Sequence, residues 1–334
     1  MIAKFDGSMY RFYWVLMMTA LGHNCCRAQE DPLLFRIAKY KDDKTCAISY
    51  TFDDGLREHY TLVAPKLKAL GFRATFWING SKINPGAGAI KDTTRMTWAE
   101  LKEMAKDGNE ISNHGWAHKN FGKYNLEELR EDIARNDSAI YHHIGIMPST
   151  FCYPNNAKTP EGVRMASEHR VGTRTVQHSV GSKSTPQNLQ QWVDTLLRSR
   201  EWGVTMTHGI TYGYDHFRAA AILWEHLERV KALEDQIWVG TFHDIAAYTK
   251  ERDLLQYDIR TKRGGFVITP RLELDEKLFT EPLTGVIEGK GIRNLKIRQG
   301  KKKLKLRVTA DKVLFDFNPY GGELSVTGAG LGGR

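Results

Sequence analysis

Ala47-Ile48-Ser49-Tyr50-Thr51-Phe52-Asp53-Asp54-Gly55 is the stretch on which the fold turns. Its first six residues form a short, largely apolar run that reads as a buried strand, and Gly55 reads as the turn that ends it. Two adjacent carboxylates at the carboxyl end of a core strand repel each other and gain nothing structurally. Such pairs are tolerated where a cation neutralises one of them, or where their proton affinities are pushed apart for chemistry.

Working outward, Asn113-His114-Gly115-Trp116-Ala117-His118 supplies two imidazoles four residues apart. An aspartate and two histidines form a catalytic zinc constellation that leaves one position open for water. The two segments together point to a metal-dependent hydrolase. Between and beyond them, strand-like runs at Ala74–Ile78, Glu110–Asn113, Thr150–Tyr153, Gly172–Val176, Val204–Thr207 and Trp238–Thr241 alternate with helical patterns. Thr97-x-x-Glu100 opens one helix as a capping box, and Asn125 with Glu128 opens another. Single strands between helices predict a parallel sheet, closed or open. In such folds functional residues collect at the carboxyl ends of strands. Asp53 and Asp54 follow the first strand, His114 the third, Asn155 and Asn156 the fourth, and His208 the sixth.

Thr51-Phe52-Asp53-Asp54-Gly55, followed by His114-x-x-x-His118 and a later histidine after an apolar strand, resembles the NodB-homology polysaccharide deacetylases, carbohydrate esterase family four. The resemblance covers residues 45–255. It implies an irregular (β/α) barrel of the polysaccharide deacetylase type and removal of acetyl groups from an N-acetylhexosamine-containing polysaccharide or oligosaccharide. By resemblance, Asp54, His114 and His118 bind the metal, Asp53 is the general base and His208 the general acid. Zn2+ suits the ligands, and Co2+ or Ni2+ would also be accepted.

Phe151-Cys152-Tyr153-Pro154-Asn155-Asn156 occupies the place of the family motif Arg-x-Pro-Tyr-Gly, with Cys152 where the arginine belongs. The arginine normally holds the catalytic base, so Asp53 lacks its expected partner. Tyr153, Pro154 and Asn155 are oxyanion or substrate candidates, and Trp77, Trp116 and Tyr212 are candidate sugar-stacking walls. Asp194 is the candidate acid tuning the catalytic histidine, and His178, His216 and His243 are rivals to His208. Gly115 stands where the family often has Ser or Thr. Two alternatives remain: an O-acetyl esterase on a xylan-like glycan, and a degenerate carbohydrate-binding protein, which the missing arginine favours.

With 334 residues, 41% hydrophobic and 26% charged, the composition is that of a folded globular protein. The net charge is +9, yet no aromatic-interleaved basic stripe appears, which argues against nucleic acid. Lys301-Lys302-Lys303 reads as a solvated hairpin tip. Lys4 and Arg11 precede the apolar stretch Phe12–Leu21, which is too short for a membrane span and fits a signal peptide over residues 1–28. Secretion or a periplasmic location is therefore expected, ahead of a lipoprotein anchor on Cys25. Cys46 and Cys152 read as buried thiols. After Leu255 helical periodicity gives way to short alternating runs, predicting a small all-β domain over residues 256–334 behind a catalytic domain over 29–255.

Overall fold

The decisive stretch folds as two consecutive strands, Cys46–Ser49 and Thr51–Asp53, interrupted at Tyr50. The computed structural model describes residues 33–289 and 292–328, so the signal-peptide expectation lies outside the described residues. Thr51–Asp53, Thr75–Ile78, Glu110–Asn113, Thr150–Cys152 and Gly172–Arg174 lie side by side in that order, all parallel. A second parallel sheet runs Ile237–Val239, Cys46–Ser49, Trp202–Met206, His178–Ser179. A bridge from Phe52 to Thr207 joins the two. The result is a curled parallel sheet, a half-barrel, left unpaired between Gly172–Arg174 and His178–Ser179.

Period-two alternation sorts the strand residues. Phe52, Phe76 and Ile78 face the helices and join the largest apolar cluster with Leu67, Leu101 and Met104. Thr51, Asp53, Trp77 and Arg174 are also buried, and hydrogen bonds and ring contacts join them on the other face. The helices start where the sequence signals place them. Thr97 and Glu100 cap Trp98–Lys106 reciprocally, and Asn125 and Glu128 do the same for Leu126–Ile144, which stops at Gly145 in the left-handed region (φ 90°). No helix among the described residues is long and apolar enough to cross a membrane. Cys46 and Cys152 are buried free thiols.

The C-terminal region forms two antiparallel sheets. One has the order Leu34–Ile37, Leu283–Glu288, Lys312–Phe317, Leu306–Val308, and so takes its edge strand from the beginning of the described chain. The other runs Gln256–Lys262, Gly265–Arg271, Leu324–Thr327, Lys296–Gln299, Lys302–Lys303. Ile268, Ile287, Phe315 and Val326 from these sheets share a core with Trp238, Ile245 and Tyr248 of the half-barrel. Each large apolar side chain so buried contributes about 1.5–3 kcal/mol. The shared core therefore couples the two regions thermodynamically.

Candidate active site

Asp53 and Asp54 are adjacent in sequence but meet different surroundings. Asp53 continues the strand and is buried, whereas Asp54 turns into the left-handed region (φ 74°), which a short polar side chain tolerates. Its N–H donates to the carbonyl of Trp77 (3.0 Å), and Arg95 grips its carbonyl. The turn swings the Asp54 carboxylate, partly exposed, toward His114 and His118.

The Oδ1 atom of Asp54 lies 3.7 Å from His114 Nε2 and 3.6 Å from His118 Nε2. His114 is buried, and its Nδ1 hydrogen-bonds the carbonyl of Cys152 (2.8 Å). A carbonyl only accepts, so Nδ1 carries the proton and the Nε2 lone pair is free to ligate. Burial lowers the His114 pKa to about 4, so the ring is neutral at physiological pH. The segment is held from outside: Asn79 donates to the carbonyls of His114 and Gly115, and Asp132 accepts from the N–H of Ala117 (2.9 Å). Gly115 has φ 74°, and a Cβ there would lie 2.5 Å from Asp132 Oδ2. Glycine thus suits this position because Asp132 fills the space a side chain would need.

Two trios of described side chains bring ligand-type atoms within 4.8 Å of one another: Asp54, His114 and His118, and Asp53, His114 and Cys152. The first fits a divalent cation, offering one carboxylate and two imidazoles around an open side. The second does not. Burial raises the Cys152 thiol well above its ordinary pKa, keeping it protonated, and Asp53 is already taken.

Its partner is Arg174, which the sequence reading did not identify. Arg174 is fully buried; Nη1 donates to Asp53 Oδ1 (2.8 Å) and Nη2 to Oδ2 (2.5 Å), and Nη1 also reaches Thr51 Oγ1 (2.6 Å). Strand register pairs Arg174 with Cys152, so the guanidinium comes from the strand beside the one expected to carry it. Burial alone would raise the Asp53 pKa. The guanidinium, aided by His114 and His208, outweighs burial and lowers it to about 2. The available signal was a lone arginine inside a strand-like run, since a buried arginine must be paired.

His208 Nε2 lies 3.8 Å from Asp53 Oδ2. Its loop is anchored by residues that follow the first motif. His59 Nε2 hydrogen-bonds the carbonyl of His208 (2.7 Å), and the Glu58 carboxylate accepts from the N–H groups of Ile210 and Thr211. The Tyr214 ring meets His208 edge-on at 5.0 Å and is 73% exposed. Among the described residues, no protein group hydrogen-bonds the buried His208 Nδ1. Asp194 accepts from Gln190 on its own helix instead, His178 stacks on Trp192, His216 bonds the carbonyl of Gly213, and His243 bonds Ser149.

Asp53, Asp54, His114, His118 and His208 line one cavity of about 340 Å³ with Tyr153, Asn155, Asn156, Met206 and Tyr214. Pro154 is buried behind it and opens a short turn in which Asn155 (φ 59°) and Asn156 (φ 54°) are left-handed. The aromatic candidates lie elsewhere. Trp77 is buried inside the half-barrel against Phe242, Trp116 packs under the Arg135 guanidinium (4.3 Å), and the Tyr212 hydroxyl donates to the carbonyl of Thr94. Strand alternation puts Trp77 inside, and Tyr214, not Tyr212, lines the cavity.

The family described as "Polysaccharide deacetylase" matches residues 40–173. Peptidoglycan-N-acetylglucosamine deacetylase PgdA of Listeria monocytogenes is 28% identical over 148 residues, 44% of this chain and 28% of that protein. A gellan lyase of a Bacillus species is 23% identical over 295 residues, 74% of this chain and 11% of that protein. The chain thus spans less than a third of either relative. The solved structure of a putative polysaccharide deacetylase from Mycobacterium smegmatis superposes with a TM-score of 0.51 at 18% identity. It covers 72% of this chain and 98% of that one, a likeness of fold.

Proposed function

Since the chain belongs, through residues 40–173, to the polysaccharide deacetylase family, we propose that it is a metal-dependent hydrolase removing acetyl groups from an N-acetylhexosamine-containing glycan. One observation carries this reading. A trio of one carboxylate and two imidazoles, an ionised buried Asp53 and His208 converge on a single open cavity. Arg174 grips Asp53 from the strand next to Cys152, in place of the expected arginine, which counts against a degenerate binding protein.

Asp54, His114 and His118 would hold the ion, with Zn2+ the best match to the donors. Such an ion supplies Lewis acidity and eases deprotonation of water at neutral pH. Asp53, kept ionised and oriented by Arg174, accepts the proton of the attacking water. The new C–O bond forms at the acetyl carbon, and His208 then gives a proton to the departing amine as the C–N bond breaks. Tyr153, Asn155 and Asn156 line the cavity; the Asn156 N–H already donates to the Tyr153 carbonyl, which leaves the Asn155 N–H as the candidate to assist the developing oxyanion.

The test is acetate release from a panel of N- and O-acetylated glycans, with and without a chelator. Release from N-acetylated polymer that stops on chelation and returns with Zn2+ is expected. Release only from O-acetylated xylan would replace the amide reading with the ester one, and release from neither would remove the activity.

A further inference from the structure

The excess positive charge of this protein is concentrated away from the cavity. Residues 256–334 hold 16 Lys and Arg against 9 Asp and Glu, a net +7 of the chain's +9. Folding places five of the described cations on one sheet face. In the sheet that begins at Gln256–Lys262, Phe266, Ile268, Leu324, Val326 and Ile297 turn inward to the shared core. The alternate positions form the opposite face. Register sets Lys303, Arg298, Ser325, Val267 and Arg260 in one row across five strands. Lys296, Thr327, Gly265 and Lys262 form the next row.

Arg260 pairs with Glu323. Among the described residues, no carboxylate comes within ion-pairing distance of Lys262, Lys296, Arg298, Lys303 or Lys305. Beside the rows a groove of about 880 Å³ is lined by Lys296, Lys303, Lys305, Asn294 and Thr327. Packing of the region uses the inner face only, so this outer face is not needed for the shared core. Arg298 and Lys303 lie directly opposite on neighbouring strands, a like-charge pair that destabilises a sheet unless a counter-charge lies over it.

We propose that this face is a docking site for an anionic polysaccharide, a polymer carrying carboxylates among its hydroxyls. The lysines and Arg298 neutralise the carboxylates, while Ser325, Thr327 and Asn294 meet hydroxyl groups. A flat row suits an extended chain. The two rows contain no aromatic side chain, whereas single-stranded nucleic acid is held largely by base stacking. The proposal stands on charge and register alone and does not depend on the chemistry of the cavity.

The test is affinity of the full chain for polygalacturonate across a salt series, with neutral dextran and a 20-base-pair DNA duplex as comparison probes. Lys296→Glu, Arg298→Glu and Lys303→Glu are introduced together. A control variant carries Lys102→Glu, Lys106→Glu and Lys123→Glu, the same change in net charge placed on the half-barrel. The first variant is expected to weaken polygalacturonate binding at least about tenfold and to flatten the salt dependence of log Kd by about two. The control should stay within about twofold, a shift too small for loss of a direct ionic contact. Equal loss in both variants would mean bulk charge attraction and overturn the site. DNA or dextran bound as tightly as polygalacturonate at equal salt would overturn the ligand class.

Discussion

Arg174 holds both carboxylate oxygens of Asp53 from the strand next to the one expected to supply the arginine: it lies opposite Cys152 in register, 121 residues after the aspartate it grips. The pair is buried and bidentate, and this makes its removal informative.

Arg174→Met should leave the Asp53 carboxylate buried without a counter-charge, costing about 3–5 kcal/mol of stability. Adding Asp53→Asn should restore most of that loss while activity stays absent. Urea denaturation of the two single variants and the double variant measures the coupling. Additive losses would mean that the two side chains do not act as a pair.

His114→Ala and His118→Ala are each expected to lose the bound divalent ion in elemental analysis of purified protein. Asp53→Asn should keep the ion yet lose acetate release, because Asn cannot accept the proton of water. Full metal retention in both histidine variants would sink the ligand assignment.

For His208→Ala the expected loss is in kcat far more than in KM, by roughly 10²–10⁴-fold on an acetamide substrate. An aryl acetate should be affected much less, since phenolate leaves without being protonated. Equal losses on both substrates would assign His208 to binding or structure.

Glu251 is buried between the half-barrel helix Phe242–Leu254 and the segment holding Glu281, whose N–H donates to Glu251 Oε1 (3.2 Å). Burial raises its pKa from 4.5 to about 8. The folded state therefore holds a proton that the unfolded state releases above the ordinary glutamate range. Glu251 lowers stability progressively as pH rises from 4.5 to about 8. Glu251→Gln keeps the acceptor and removes the titration. Its thermal midpoint should exceed that of the wild type at pH 8, at about 2–4 °C per kcal/mol, and match it near pH 4.5. An identical difference at both pH values would exclude Glu251 as the source.

Much of the site is legible in sequence because its parts are local. Asp53-Asp54, His114-x-x-x-His118 and His208 each end a strand, and strand ends in a parallel sheet meet on one rim. Arg174 is not legible in this way, since its partner is fixed by register between strands and not by spacing along the chain. Trp77 shows a related limit: alternation decides which of Phe76 and Trp77 faces the helices, but composition favours neither. The strand Leu34–Ile37 joins a sheet whose other members begin at Leu283, and nothing nearby in sequence announces such a partner. Gly115 could be noted as a departure from the family pattern, but its reason, the Asp132 carboxylate beneath it, is tertiary.

The pairing of Leu34–Ile37 with Leu283–Glu288 has a consequence for how the protein is made. Arg36 bonds Glu288 across 252 positions of chain (2.7 Å). During synthesis at about 5–20 residues per second, that strand waits roughly 13–50 s for its neighbour to exist. Until then Phe35 has no sheet to cover it, and its edge is open to other chains. Ordering of the half-barrel can begin earlier, from contacts between neighbouring strands. This closing step joins the first described strand to one about 250 residues further along, so it carries a large loop-closure cost and is expected to be the slow phase of refolding.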